Sequence, residues 1–398
     1  MSEWKEYKLG EFIKVKHGFA FKGEYITTEE THNILVTPGN FHIGGGFKDD
    51  KFKYYNNDEF PSEYILKGGD IVVTMTDLSK DSDTLGYSAK IPYSKNHNYL
   101  HNQRIGLILF INNAVCPDFI YWIMRTREYQ SYIVGSASGT SIMHTSPSRI
   151  EDYSCLLPSL KTQCRIASIL TSLDDKIDLL RRENATLEAM AETLFRQWFV
   201  VEAKEEWEEG KLGDYVDVVD NRGKTPPYVN HVTEYPIIEV NALTGNERHV
   251  NYDAVRKYVT KEVKDSWFRG YLQKNDILVS TVGSIGELAM CLEEKGVIAQ
   301  NVIALHASKI SPFYLYQYLL LNKDDLKELD IGSVQPSIKV PHLLRMPIVL
   351  PPINLLNKYD SIMEEIIEKE KNINKQIQTL IQTRDGLLPR LMSNEIKI

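Results

Sequence analysis

Trp4-Lys-Glu-Tyr-Lys-Leu9-Gly10-Glu11-Phe12 opens the chain, and Trp207-Glu-Glu-Gly-Lys-Leu212-Gly213-Asp214-Tyr215 repeats it 203 residues later. A period of self-similarity has to be found before anything else, because a missed repeat misassigns the fold. The repeat continues in order. Gly69-Asp70-Ile71-Val72-Val73-Thr74 is answered by Asn275-Asp276-Ile277-Leu278-Val279-Ser280, and Leu85-Gly86-Tyr87-Ser88-Ala89 by Ile285-Gly286-Glu287-Leu288-Ala289. Asn102-Gln103-Arg104-Ile105 lies opposite Gln300-Asn301-Val302-Ile303, Pro117-Asp-Phe119-Ile120-Tyr121 opposite Pro312-Phe-Tyr314-Leu315-Tyr316, and Leu157-Pro158 opposite Leu350-Pro351. Six short matches in one order, at displacements between 193 and 206 residues, mark an internal duplication.

The chain has 398 residues, 42% of them hydrophobic and 25% charged, which is the composition of an ordinary globular protein and excludes wholesale disorder. Two or three domains are expected at this length. No run of about 18 apolar residues is present and the opening MSEWKEYKLG lacks the layout of a secretory signal, so the expectation is a cytoplasmic protein with no membrane partner. Cys116, Cys155, Cys164 and Cys291 are scattered, without CxxC pairs or zinc-type histidine spacing, and read as reduced thiols. Net charge is −8, from 46 Lys+Arg and 54 Asp+Glu, which argues against capture of nucleic acid by bulk electrostatics. Any such contact has to be local or completed by a partner.

Within each half, short β-branched runs such as Asp70–Thr76 and Asp276–Thr281 read as strands, and Gly44-Gly-Gly46, Gly68-Gly69 and Asn221-Arg-Gly-Lys-Thr-Pro-Pro227 as loops. The apolar crowding after Pro117 and Pro312 suits a buried helix with proline in its first turn. Each half is then followed by a heptad seam. In the first, Ile166, Leu170, Leu173, Ile177, Leu180, Asn184, Leu187, Ala191, Leu194 and Trp198 alternate spacings of four and three. The second repeats it 193 residues on with Tyr359, Met363, Ile366, Glu370, Ile373, Ile377, Leu380, Arg384, Leu387 and Leu391. The expected fold class is α+β: two globular domains joined by two long antiparallel coiled-coil helices with an internal pseudo-two-fold repeat. The expected boundaries are 1–157, 158–202, 203–349 and 350–398, globular and helical in turn.

Catalytic signatures are sparse. Thr225-Pro-Pro-Tyr228 is one residue away from the Asn/Asp-Pro-Pro-Tyr/Phe tetrapeptide of amino-methyltransferases, but threonine is a poor acceptor for the amine to be methylated and no glycine-rich cofactor turn precedes it. No GxxxxGK[ST], HExxH or GxSxG occurs. The expectation is a non-enzyme that binds no cofactor itself. What remains is a set of loops whose side chains suit phosphates and base edges. In the first half these are Phe21, Lys22, Thr74, Thr76, Asp77, Ser79, Lys80, Thr140, Ser141 and His144. In the second they are Arg222, Lys224, Thr225, Ser280, Thr281, Ser284, Gln335, Ser337 and Lys339. Polar loops are usually only solvated, so these residues acquire meaning from the architecture around them.

Taken together, the duplicated Trp-x4-Leu-Gly opening, the Gly-Asp-Ile-Val and Asn-Asp-Ile-Leu strands, the Asn-Gln and Gln-Asn segments, the Arg222-Gly-Lys-Thr-Pro226 loop and the two Leu-Pro-led helices resemble the specificity subunit of Type I restriction-modification systems along essentially the whole chain. The resemblance implies two target recognition domains, each reading half of a bipartite site on double-stranded DNA, with the helices as spacer and as the dock for two DNA methyltransferase subunits. Restriction subunits with translocase and nuclease activity join these in the family. S-adenosylmethionine, ATP and Mg belong to those partners. Lys16-His-Gly-Phe-Ala-Phe-Lys22 and Asp220-Asn-Arg-Gly-Lys-Thr-Pro226 differ too much to be equated residue by residue, so an asymmetric site is expected. Two other readings stand beside this one: a self-contained DNA methyltransferase, and a coiled-coil adaptor that never touches nucleic acid.

Overall fold

The computed structural model describes residues 4–49, 51–77, 83–139, 142–223, 225–244, 248–332 and 334–398. They form two compact units, Met1–Asp178 with Ile377–Ile398, and Leu179–Gln376. Each unit holds one globular half and a stretch of both long helices.

In the first unit a four-stranded antiparallel sheet runs in the order Ile13–His17, Ile105–Phe110, Ile71–Thr74, Ser88–Lys90. All four residues of Ile71–Thr74 are buried, which is why this strand reads as a continuous β-branched run rather than an alternation. A second sheet of five short strands contains the parallel pair Asn33–Val36 and Asn98–His101. Against the first sheet lies the helix Pro117–Ile123, whose Phe119, Ile120, Tyr121, Trp122 and Ile123 are all buried. Its proline occupies the first turn, where no amide is needed.

The second unit repeats the plan. Its four-stranded sheet runs Val216–Val219, Val302–Ala307, Asp276–Ser280, Leu288–Cys291, and its smaller sheet again contains a parallel pair, Tyr235–Ile238 with Val297–Ile298. The helix Pro312–Leu321 corresponds to Pro117–Ile123. In both units the chain's opening motif pairs with the strand that leads into a long helix: Lys5–Lys8 with Ser154–Leu157, and Glu208–Lys211 with Pro347–Leu350. The repeated leucine of that motif, Leu9 or Leu212, is fully buried.

The long helices span Leu160–Arg196, extended by a π-helical turn Gln197–Val201, and Ile353–Met392. At 1.5 Å per residue they are ~55 and ~60 Å long. Within the first unit Ile166 and Leu170 share a core with Leu388 and Leu391, and Asp174 Oδ1 accepts from Arg384 Nη1 at 2.6 Å. Within the second, Asn184 meets Asn374 while Phe195, eleven residues further on, meets Tyr359. Rising numbers on one helix face falling numbers on the other, so the helices run antiparallel.

The seam positions point inward. Ile166, Leu170, Ile177, Leu180, Leu187, Tyr359, Met363, Ile366, Ile373 and Leu391 are buried, and Leu173, Asn184, Leu194, Trp198, Ile377, Leu380 and Leu387 are partly buried. Phe195, Phe199 and Leu388 are buried beside the heptad positions, widening the apolar stripe beyond a strict two-residue seam. No helix among the described residues is long and apolar enough to cross a membrane.

Candidate nucleic-acid interface

In each unit the central strand of the four-stranded sheet ends beneath a returning segment. In the first unit Thr76–Asp77 pairs antiparallel with Met143–His144, and the Thr145 amide donates to Met75 O at 3.0 Å. In the second Val282 bridges Ser337, and the Ile338 amide donates to Thr281 O at 2.8 Å. The turn that brings each segment back depends on glycine. A Cβ at Gly139, where φ is +122°, would sit 1.9 Å from Ile142 O, and one at Gly332 would sit 1.8 Å from Gln335 O. Around these strand ends the structure gathers most of the polar loop residues singled out from the sequence.

Their exposure divides them. Lys22, His144, Thr225, Ser284, Gln335 and Lys339 are exposed, and Arg222 and Ser337 are half-buried. Ser79, Lys80, Thr140, Ser141 and Lys224 lie outside the described residues. Phe21, Thr74, Thr76, Asp77, Ser280 and Thr281 are buried, which corrects the expectation that they offer themselves to a ligand. Phe21 packs edge-on against Phe19, Tyr55 and Phe60 at centroid distances of 4.9 to 5.7 Å, as part of an aromatic core.

The buried polar residues hold the loops instead. Thr74 Oγ1 donates to Thr84 O, and Asp77 Oδ2 accepts from Thr84 N at 2.6 Å and from Thr84 Oγ1 at 2.8 Å. Ser280 Oγ donates to Ser284 O and accepts from the Glu287 amide, at 2.6 and 2.7 Å. Thr281 Oγ1 donates to Asn301 O at 3.3 Å. A short hydroxyl or carboxylate next to a turn competes for backbone groups, and here it satisfies those that the loop would otherwise bury unpaired. Thr76 Oγ1 lies 3.1 Å from His144 Nδ1 and so fixes the ring of the exposed histidine above it.

In the second unit the rim carries Arg222. Its Nε and Nη2 donate to the two oxygens of Asp220 at 2.9 and 2.7 Å, its backbone amide donates to the same carboxylate at 2.9 Å, and Nη1 lies 3.4 Å from Thr281 Oγ1. The hydrogen bonds from Arg222 hold the Asp220 carboxyl below its ordinary range. The loop beneath is pinned by buried Asn221, whose side chain bonds Arg269 N, Gly270 N and Gly270 O. Gln300 Nε2 donates to Thr225 Oγ1 at 2.6 Å. Sequence reasoning did not assign roles to Asp220, Asn221 and Gln300. The carboxylate two residues before Arg222 was a local signal for the first; the other two needed long-range geometry.

A forked guanidinium held at a rim by the Asp220 carboxylate and the Thr281 hydroxyl, and loops braced from below, form a surface suited to phosphate oxygens and base edges. Among the described residues no group of three or more His, Cys, Asp or Glu side chains is placed to hold a metal ion.

The family model of the Type I restriction modification DNA specificity domain matches residues 1–189 and again 204–383. The chain belongs to this family. Among similar proteins, the MjaIX Type I restriction enzyme specificity subunit of Methanocaldococcus jannaschii is 25% identical over 72% of this chain and 70% of its own length. The EcoBI specificity subunit of Escherichia coli is 22% identical over 99% of this chain and 85% of its own length. The crystal structure of a Type I restriction-modification S subunit from M. genitalium matches with a TM-score of 0.58 at 17% identity, covering 98% of this chain and 96% of that one. That likeness supports the fold of a specificity subunit. The two matches to one family model coincide with the duplication read from the sequence, and the adaptor and methyltransferase readings have no counterpart among these relatives.

Proposed function

We propose that this chain is the non-catalytic, sequence-reading subunit of a Type I restriction-modification complex, in which each globular half reads one part of an asymmetric, bipartite site on double-stranded DNA. The observation that carries the reading is one fold built twice with different rims: His144 above the strand end of the first unit, and Arg222, Thr225 and Gln335 around that of the second. Two readers on one duplex meet the same face about one helical turn, ~34 Å, apart, leaving an unread gap between half-sites. Different rims on a shared fold favour two different half-sites.

The helices act in this reading as spacer and as the dock for two methyltransferase subunits, which restriction subunits join. Those partners carry the chemistry, with S-adenosylmethionine, ATP and Mg, while this chain binds none of them. Its net charge of −8 fits a subunit that relies on partners for much of the phosphate affinity. A methyltransferase activity of the chain itself would rest on Thr225–Tyr228. There Tyr228 is 47% exposed and carries the Lys257 ammonium 5.1 Å from its ring centre, an arrangement of a surface turn rather than of an amine pocket.

Co-expression with the cognate methyltransferase subunit, followed by single-molecule sequencing of host DNA, tests the proposal. One split, asymmetric motif that carries methylated adenine only when this chain is present is the expected result. A soluble complex without any motif would leave the adaptor reading in its place.

A further inference from the structure

The fifth residue of the helix behind each sheet is a tyrosine, Tyr121 in Pro117–Ile123 and Tyr316 in Pro312–Leu321, and in each unit a buried arginine lies over it. The two arginines are not equivalent in the chain. Arg125 follows the helix itself. Arg248 comes from the loop beside the edge strand Leu288–Cys291, its carbonyl accepting from the Met290 amide at 2.6 Å. The corresponding loop of the first unit, beside Ser88–Lys90, is Gly44-Gly45-Gly46, where a Cβ on Gly45 would stand 2.7 Å from Arg125 Cγ. One unit has the arginine on the helix and an empty loop, the other the arginine on the loop.

Both guanidiniums meet carboxylates of the long helices. Arg125, its side chain 3% exposed, is paired with Asp174 of the first helix, donates from Nε to Gly44 O at 2.9 Å and from Nη1 to Tyr121 Oη at 2.8 Å, and stacks 4.4 Å from the Trp122 ring centre. The other oxygen of Asp174 accepts from Arg384 of the second helix. Arg248 lies 3.7 Å from Glu370 of the second helix, each side chain 2% exposed, and its backbone amide donates to Glu188 of the first at 2.9 Å. Beside it the Asn374 amide is 2.8 Å from His249 Nε2. In each unit, therefore, one buried arginine ties the globular half to both helices. Burying a guanidinium is costly. Arg125 is well satisfied by Asp174, Gly44 O and Tyr121 Oη, whereas Arg248 leaves Nε and Nη1 without a hydrogen-bond partner among the described residues and is held by the Glu370 charge at 3.7 Å.

We propose that Arg125 and Arg248 are positioning residues that fix the angle at which each reading half meets its helices, and thereby restrict the site to one gap length. The inference rests on the DNA-reading function above. Its physical basis is the stiffness of the duplex: one base pair adds ~3.4 Å and a rotation of ~35°, so a joint that yields by a fraction of that admits a neighbouring gap.

The test uses the full chain with its methyltransferase partner and sequences the methylated sites. Arg125→Met leaves Asp174 its second partner, Arg384, and so avoids a lone buried charge. The expected result is two unchanged half-site sequences, with sites one base pair longer or shorter rising at least ~10-fold above wild type, equivalent to ~1.4 kcal/mol of lost discrimination. Arg248→Met, made together with Glu370→Gln so that no buried carboxylate loses its countercharge, should do the same from the other unit. Lys369→Gln, which removes a largely exposed helix-to-helix ion pair with Glu183 that involves neither arginine, should keep the single gap. Arg125→Lys, which keeps the charge but not the fork, should fall between. A single unchanged gap in Arg125→Met and in the paired Arg248→Met and Glu370→Gln change would overturn the proposal while leaving DNA reading intact. Loss of all methylation in Arg125→Met and Arg125→Lys alike would overturn it too, since gap length would then not be what the arginine controls. Absence of any motif with the wild-type chain would instead sink the DNA-reading function.

Discussion

Asn184 donates its side-chain amide to Asn374 Oδ1 at 2.6 Å, and the Asn374 amide in turn reaches His249. A seam residue of the first helix is thus wired through the second helix to the globular half of the same unit. Asparagine at such a position specifies register at some cost in stability. Asn184→Ala is expected to destabilise the helix pair by about 1 kcal/mol, and the Asn184/Asn374 double replacement by less than the sum of the single ones. Hydrogen exchange along residues 180–188 measures both, and strict additivity would argue against the connection.

Two titratable groups, half-buried Glu188 and buried His101, respond to pH in opposite senses. Burial pushes Glu188 up to about 7, against the pull of the Arg248 amide and charge, so the folded protein holds a proton that the unfolded chain releases between pH 4.5 and 7. Stability of the second unit therefore falls as pH rises through that window, and Glu188→Gln should raise it above pH 7 and flatten the dependence. In the first unit burial pulls His101 down to about 4, while its Nε2 donates to Ile105 O at 2.9 Å. That histidine must stay neutral, so its contribution is complete above pH 6.5 and is lost as pH falls towards 4. Following the two units separately by exchange between pH 4.5 and 8 checks both signs.

Phe199 closes the end of the first long helix, with ring centres 5.0 Å from both Tyr314 and Tyr359. It joins that helix to the second helix and to the buried helix of the same globular half. Phe199→Ala is expected to cost about 3–5 kcal/mol and Phe199→Leu much less. Thermal melts of the pair measure the difference; near-equal melts would show that the cluster is not packed as described.

The returning loops offer a test of which half reads what. Gly139→Ala forces a methyl group onto Ile142 O, and Gly332→Ala forces one onto Gln335 O. Each should disturb its own half-site and spare the other, seen as degeneracy confined to one side of the methylated motif. Degeneracy on both sides from either change would mean that the loops do not serve separate readers.

Much of this fold was legible because duplication doubles the signal. Leu9 and Leu212 are core residues, the Asp276–Ser280 strand is buried throughout, and the heptad positions face inward. The interface was less legible. Thr74, Asp77 and Ser280 have the chemistry of ligand contacts, but whether such a side chain faces outward or satisfies its own loop depends on contacts up to tens of residues away, such as Ser280 with Glu287 or Thr281 with Asn301. The buried arginines were illegible for a related reason. Nothing local marks Arg125 or Arg248 as counterparts, since they occupy the same place from different positions in the chain.

Replacing residues 1–150 with those of a relative that has a different specificity, and sequencing the DNA methylated by the resulting complex, tests the central claim most directly. The account predicts that one half-site changes while the other half-site stays as it was. A change in both halves, or in neither, would contradict two independent readers carried on one pair of helices.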